Sequence, residues 1–129
     1  MPSFGAKSDA ILSTVHPDLQ RLFRRVVKKF DCTVLSGKRT SQEQELLVFA
    51  GKSKIQNSKH LTGYAVDVMP WPVDWSDTKR HYAFCGYVKG VSEMMGIKVR
   101  GGFDWDGDWT FTDQTFHDCP HWEIVALPT

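Results

Sequence analysis

The chain has 129 residues, of which 41% are hydrophobic and 24% charged, so it can bury the core of one domain without stabilising disulfides or metals. Sixteen basic and fifteen acidic side chains are interspersed and leave a net charge of +1, which argues against a protein that binds nucleic acid or a membrane surface. The three cysteines have unrelated spacings and no C-x-x-C pair, which argues against a disulfide framework or a cysteine-based zinc site.

The first helix is predicted after a short N-terminal arm, in the segment HPDLQRLFRRVVKKF. Its apolar residues recur at the spacing of one helical face, and Pro17 stands in the first turn, where proline is favoured. These apolar residues are Leu19, Leu22, Phe23, Val26, Val27 and Phe30. The next segment, CTVLSG, is short, β-branched and closed by Gly37, which predicts a strand over 32–37.

A second helix is predicted over 40–50, where Thr40 and Glu43 have the spacing of a capping box. The remaining predicted elements are a strand over 64–69, a helix over 78–95, and strands over 97–100 and 121–127. Because strands and helices do not alternate regularly, we expect an α+β fold with a small, largely antiparallel sheet flanked by helices. No repeat or linker divides the sequence, so a single domain over 1–129 is expected, without a separate wall-binding domain.

The strand over 64–69 directs one acidic side chain away from the core. Successive side chains of a strand point to opposite faces, so placing Val66 and Val68 in the core turns Asp67 toward a cleft. His60 lies in the preceding loop, and Gly63 permits the tight turn that would bring its imidazole beside Asp67.

The segment DCPHWEI supplies a second group of polar side chains. By the same alternation, His121 and Glu123 share one face of a strand. Two histidines and one carboxylate are a common ligand set for catalytic zinc, which keeps its fourth position for water. The metal lowers the pKa of that water to roughly 7, and a nearby acid such as Asp118 can then exchange its proton. Taken singly, each histidine is more often a surface or structural group than a ligand.

Both segments match a known two-part motif. SKHLTGYAVD fits the pattern S-x-H-x-x-G-x-A-x-D, and DCPH fits a later D/E-x-x-H. Together they resemble the LAS-type zinc peptidases, which comprise D-alanyl-D-alanine carboxypeptidases and dipeptidases and the phage L-alanyl-D-glutamate peptidases. The resemblance extends over nearly the whole chain and is closest to phage endolysins of the L-alanyl-D-glutamate type. It implies the fold that these peptidases share with hedgehog domains.

The resemblance also implies roles for individual residues. His60, Asp67 and His121 would bind one zinc ion, and Asp118 would be the general base. Arg39, in GKRT, would stabilise the oxyanion or anchor the substrate, because a guanidinium offers fixed donors to developing negative charge. The positions expected to shape the cleft or support the ligands are Ser58, Gln44 and Glu123.

The chain departs from the family pattern in RGGF, where Gly101 takes the position of an aromatic residue and Phe103 that of a glycine. We expect this wall of the cleft to differ, with an effect on substrate preference.

The acidic loop FDWDGDW spaces Asp104, Asp106 and Asp108 two residues apart. Clustered carboxylates are ligands of calcium, but the glycine and the final acid of an EF-hand loop are misplaced here. A polar surface turn is the preferred interpretation, and a regulatory Ca²⁺ site is the alternative.

The implied activity is zinc-dependent hydrolysis of the L-alanyl-D-glutamate bond in the peptidoglycan stem peptide, which leads to host cell lysis. A D-alanyl-D-alanine peptidase of the same fold is the nearest alternative. A nonhaem iron oxygenase also uses two histidines and a carboxylate, but its first two ligands commonly lie closer together in sequence. A non-catalytic zinc-binding module is a further alternative, against which Asp118 argues.

The N-terminus lacks the apolar core of a signal peptide, and no segment has transmembrane length, so we expect synthesis as a soluble chain in the host cytoplasm. A monomer without stable membrane association would then need a separate holin-type protein to permeabilise the membrane and give access to the cell wall.

Overall fold

The computed structural model describes residues 2–39, 46, 49, 62–104, 107, 109 and 118–125, and of Asp118 the backbone alone. Within these residues the elements, in chain order, are α1 (Ala6–Leu12), α2 (Pro17–Val27), β1 (Cys32–Ser36), β2 (Ala65–Pro70), α3 (Thr78–Met94), β3 (Val99–Gly102) and β4 (Asp118–Ile124).

The apolar face of α2 is buried, as its spacing predicts. Five of the six predicted apolar residues are buried, and Phe30 packs against the same core just beyond the helix. The helix begins at Pro17, where the imidazole of His16 accepts a hydrogen bond from the backbone N–H of Asp18 at 3.0 Å. This bond satisfies one of the donors that a helix leaves unpaired at its N-terminus.

The four strands form one antiparallel sheet in the order β1-β2-β4-β3. Val66 and Val68 of β2 and Trp122 of β4 are each 0% exposed and pack with α2 and α3 in a single core. The predicted α+β fold with a small antiparallel sheet is thus confirmed. None of the described helices combines the length and the apolar character needed to cross a membrane.

In the N-terminal half of the chain, one prediction is wrong and another falls mostly on residues outside the described set. The expected N-terminal arm instead forms α1, which is anchored by the fully buried Leu12 and by a 3.1 Å hydrogen bond from the backbone N–H of Val34 to Ser8 Oγ. Of the helix predicted over 40–50, the described residues are Leu46 and Phe49, and both are helical.

The last two strands are shifted from their predicted positions. β3 begins at Val99 rather than Ile97, because the backbone N–H of Ile97 closes the turn after α3 by bonding the carbonyl of Ser92 at 2.9 Å. β4 begins at Asp118, where the sequence placed a loop, and Asp118 pairs with Gly102 across a register shift.

None of the three cysteines forms a disulfide, as predicted. Burial, together with the neighbouring Asp31 carboxylate, raises the pKa of the Cys32 thiol to about 12. The Cys85 thiol donates to the backbone oxygen of Cys119 at 3.3 Å. Because the thiolate is the reactive form, a raised pKa makes Cys32 a structural group rather than a nucleophile.

Gly101 lies on the core side of β3, in close contact with two aromatic rings. A Cβ at this position would stand 2.8 Å from Phe103 Cδ1 and 2.8 Å from Trp122 Cζ3. The Phe103 side chain is 2% exposed, and its ring centroid lies 5.5 Å from that of Trp122. Gly101 and Phe103 thus pack in the core, and both also line a cavity beside Arg100. The expected difference in the wall of the cleft stays a prediction.

We predict that Gly101→Ala destabilises the protein by about 1–3 kcal/mol, because an added methyl group overpacks a core that has no room for it. Gly90→Ala, in the interior of α3 with no atom within 4 Å of its Cβ, is the matched control. It should stabilise the helix by up to about 1 kcal/mol. Urea denaturation of both variants measures the difference, and a Gly101→Ala protein as stable as the wild type would contradict the packing argument.

Candidate metal centre

The centre is built on a register pair of the two middle strands. Asp67 of β2 lies directly opposite His121 of β4. Residues that face each other across an antiparallel pair project on the same side of the sheet, so these two side chains meet. Their neighbours Val66 and Trp122 form the next pair and point into the core. The predicted direction of Asp67, away from the core valines, is confirmed.

Both carboxylate oxygens of Asp67 face a nitrogen atom. His121 Nδ1 lies 3.4 Å from Oδ1, and Arg39 Nη2 donates to Oδ2 at 3.1 Å. Arg39 follows β1 and is oriented by a second bond, from its Nε to Ser36 Oγ at 3.1 Å. The structure thus brings the predicted Arg39 next to the predicted ligands.

The far side of the His121 ring is held by a second carboxylate. His121 Nε2 and Glu123 Oε1 are 2.9 Å apart, and Arg100 Nη2 donates to Glu123 Oε2 at 2.8 Å. In the sheet, Glu123 has Arg100 opposite it on β3 and Ala65 opposite it on β2. That the small Ala65 leaves space beside Asp67 stays a prediction.

These contacts join five side chains in a polar row that runs Arg39–Asp67–His121–Glu123–Arg100. Asp67, His121 and Glu123 are 17%, 11% and 7% exposed, respectively. Carboxylates at this depth are costly unless they are paired, and here each one has a guanidinium beside it. The alternating charges allow the row to lie half-buried on the sheet.

The geometry of His121 suits a metal ligand. An ionised carboxylate only accepts hydrogen bonds, so the contact with Glu123 places a proton on Nε2 and allows Nδ1 to carry a lone pair. That lone pair would face an oxygen of Asp67 at 3.4 Å, a separation at which one metal ion can bind both atoms. Zinc takes such nitrogen and oxygen donors, and a carboxylate on the second ring nitrogen is the usual support of a histidine ligand.

His60, the third predicted metal ligand, lies outside the described residues. Among the parts of the chain that the structure describes, no three acidic, histidine or cysteine side chains are placed as a complete metal-binding group. Asp67 and His121 are two of the predicted three. Besides His60, the predicted site residues outside the described set are Ser58, Gln44, Asp106 and Asp108, together with the side chain of Asp118.

Asp104 is the one described aspartate of the acidic loop, and it is 4% exposed rather than on the surface. Its Oδ2 accepts a hydrogen bond from the backbone N–H of Trp109 at 2.7 Å. At this residue the expected polar surface turn is wrong, because the carboxylate organises the loop from inside. The calcium site stays a prediction without support from the described residues.

Sequence reasoning missed Arg100 and Ser36. Arg100 is the last residue of a predicted strand, and a charged side chain at such a position is ordinarily expected to face solvent. Only the pairing of β3 with β4 places it opposite Glu123. The one available signal in the sequence was an arginine on the predicted strand that precedes the strand of the DCPHWEI motif.

Comparisons with known proteins identify related peptidases. A family model described as phage L-alanyl-D-glutamate peptidase matches residues 2–125. The L-alanyl-D-glutamate peptidase of Escherichia phage T5 is 32% identical over 133 residues, covering 95% of this chain and 97% of that protein.

Two solved structures share the fold. The Serratia marcescens L-Ala D-Glu endopeptidase ChiX superposes with a TM-score of 0.75 at 31% identity, over 93% of this chain and 87% of that one. The vancomycin resistance D,D-pentapeptidase VanY, in complex with Zn(II), has a TM-score of 0.51 at 17% identity, over 89% and 71% of the two chains, and supports the fold alone.

A family match that spans both halves of the motif, and a relative of similar length at 32% identity, leave no support for an oxygenase or a non-catalytic module. The chain is a peptidase and belongs to the phage L-alanyl-D-glutamate peptidase family.

Proposed function

We propose that this chain is a zinc-dependent endolysin that hydrolyses the amide bond between L-alanine and D-glutamate in the stem peptide of peptidoglycan. The observation that carries the proposal is the register pair of Asp67 and His121, with Oδ1 and Nδ1 at 3.4 Å. Membership of the family supports the choice of substrate.

The proposed metal ligands are His60, Asp67 and His121. A bound zinc ion would polarise the scissile carbonyl and lower the pKa of a water molecule at the site. The support of Glu123 on Nε2 directs the Nδ1 of His121 to the metal position. The half-buried setting of the polar row strengthens every electrostatic contact with the substrate.

Asp118 is proposed as the general base. It would accept a proton from the attacking water and deliver it to the departing amine of D-glutamate as the C–N bond breaks. The products are a carboxylate on L-alanine and a free amino group on D-glutamate. The support for this role is that Asp118 begins β4, the strand that carries His121.

Arg39 is proposed to stabilise the oxyanion that develops on the scissile carbonyl. Its guanidinium is fixed by Ser36 and Asp67, so it does not need to reorganise when charge develops. The second donor face of a guanidinium suits a carbonyl oxygen or a substrate carboxylate equally well.

For the cellular setting, we propose synthesis in the host cytoplasm, action as a monomer and access to the wall through a separate holin-type permeabilising protein. A single domain without a separate wall-binding domain stays a prediction, and under it the cleft itself would recognise the stem peptide.

Digestion of purified peptidoglycan should release fragments with a new amino terminus on D-glutamate and a new carboxyl terminus on L-alanine. Mass spectrometry of the fragments identifies the bond, and His60→Ala provides the inactive control. Release of free D-alanine instead would show a D-alanyl-D-alanine peptidase and overturn the proposed substrate.

The wild-type protein should bind one zinc ion per chain, and both Asp67→Asn and His121→Ala should lose it, because each removes a donor to the metal. Metal analysis after gel filtration measures the stoichiometry. His81→Gln is a matched control, because its amide can keep the bond that His81 Nε2 makes to the backbone oxygen of Asp74. Retention of stoichiometric zinc by His121→Ala would refute the ligand assignment.

Asp118→Asn should keep the zinc ion and the fold but lower kcat by about 10²–10⁴-fold, the usual contribution of general acid–base catalysis. Zinc analysis and the rate of stem-peptide cleavage are measured on the same sample. Unchanged cleavage in this variant would remove Asp118 from the mechanism.

A further inference from the structure

Arg100 lies on the edge strand β3 and reaches across to the strand that carries the proposed ligand His121. It stands directly opposite Glu123 in the register of β3 and β4, and its Nη2 lies 2.8 Å from Glu123 Oε2. The proposed function uses the metal ligands, the general base and Arg39, and gives Arg100 no part.

The contact fixes Glu123 at both of its oxygens. Oε1 meets His121 Nε2 at 2.9 Å, while Oε2 accepts from Arg100. Rotation of the carboxylate about its last bond would disrupt both contacts together. The Glu123 side chain is 7% exposed, so water cannot readily replace either partner.

The orientation of Glu123 in turn decides which nitrogen of His121 faces the proposed metal position. While Nε2 donates to Oε1, Nδ1 is directed at Asp67 Oδ1, 3.4 Å away. An imidazole without this contact can turn about its ring bond and lose that alignment. Groups that support metal ligands in this way tune the affinity for the metal strongly.

We propose that Arg100 is a positioning residue of the metal centre, which acts through Glu123 to keep Nδ1 of His121 directed at the position between His121 and Asp67. This inference rests on the proposed function, because it assumes that the metal binds there. Among the described residues, the contact of Arg100 with the proposed metal centre passes through the Glu123 carboxylate.

The alternative is an ordinary ion pair that matters only for stability. The Arg100 side chain is 45% exposed, but its partner Glu123 is 7% exposed, so loss of the guanidinium should also lower the unfolding temperature of the metal-free protein. Zinc affinity is therefore measured at a temperature at which the wild type and the variants are all folded. The signature of a positioning role is a loss of zinc affinity in the folded protein, which a pair that matters only for stability would not cause.

The test measures Zn²⁺ affinity by competition with a chromophoric chelator, in the wild type and in Arg100→Gln, Arg100→Lys and Glu123→Gln. We expect Arg100→Gln to weaken zinc binding about tenfold, the lower end of the loss seen for outer partners of metal ligands. Arg100→Lys should restore most of the affinity, because an ammonium donor can replace the Nη2 contact with Glu123. Arg21→Gln, which removes an exposed arginine of α2 paired with Asp18, controls for the change in net charge.

A double variant separates action through Glu123 from a direct electrostatic effect. In a Glu123→Gln background, Arg100→Gln should cause little further loss, because the route to His121 has already been altered. An equal loss in both backgrounds, or wild-type affinity in the single Arg100→Gln variant, would overturn the inference.

The same zinc titration distinguishes failure of this inference from failure of the proposed function. A wild-type protein that binds no zinc would overturn the proposed function together with the inference. A wild type that binds zinc normally, with an Arg100→Gln variant of equal affinity, would overturn the inference alone.

Discussion

The whole site depends on the register between β2 and β4. Val66 pairs with Trp122 on the core face, and the next pair, Asp67 with His121, projects on the opposite face. A slip of one residue would exchange the two faces, placing a carboxylate in the core and a valine in the cleft. Burial of Val66 and Trp122, both 0% exposed, therefore fixes the position of the functional pair.

The order of the strands in the sheet then decides the order of the polar row. Arg39 follows β1, Asp67 lies on β2, His121 and Glu123 on β4, and Arg100 on β3, which is the spatial order β1-β2-β4-β3. Segments far apart in sequence thus contribute neighbouring charges of alternating sign. The row exists because of sheet topology, and no local stretch of sequence contains it.

The difference between local strand alternation and long-range strand pairing explains how much of the site the sequence could predict. The direction of Asp67 followed from strand alternation alone, because Val66 and Val68 had to face the core. That His121 belongs beside it came from the resemblance to a family, since alternation cannot identify the partner strand. Arg100 was missed because its contact depends on the register of β3 with β4.

The errors in element boundaries have similarly specific causes. α1 is a helix of seven residues without a side-chain cap, and its contacts with β1 stabilise it rather than its own sequence. β4 begins at Asp118 rather than at His121 and therefore contains Pro120. Proline is tolerated here beside the register shift at Gly102, where it costs no regular ladder bond.

The two arginines at the ends of the polar row pair with carboxylates of the site. Arg39 contacts Asp67 and Arg100 contacts Glu123, so among the described residues a guanidinium lies beside each of these two carboxylates. The core lies on the opposite face of the sheet and is built from apolar side chains. Small zinc domains whose core is the metal site unfold without the ion, because binding and folding are one process there. In this protein the apolar core fixes the register and the arginines pair with the carboxylates, so we expect the sheet to form before the proposed metal binds to Asp67 and His121.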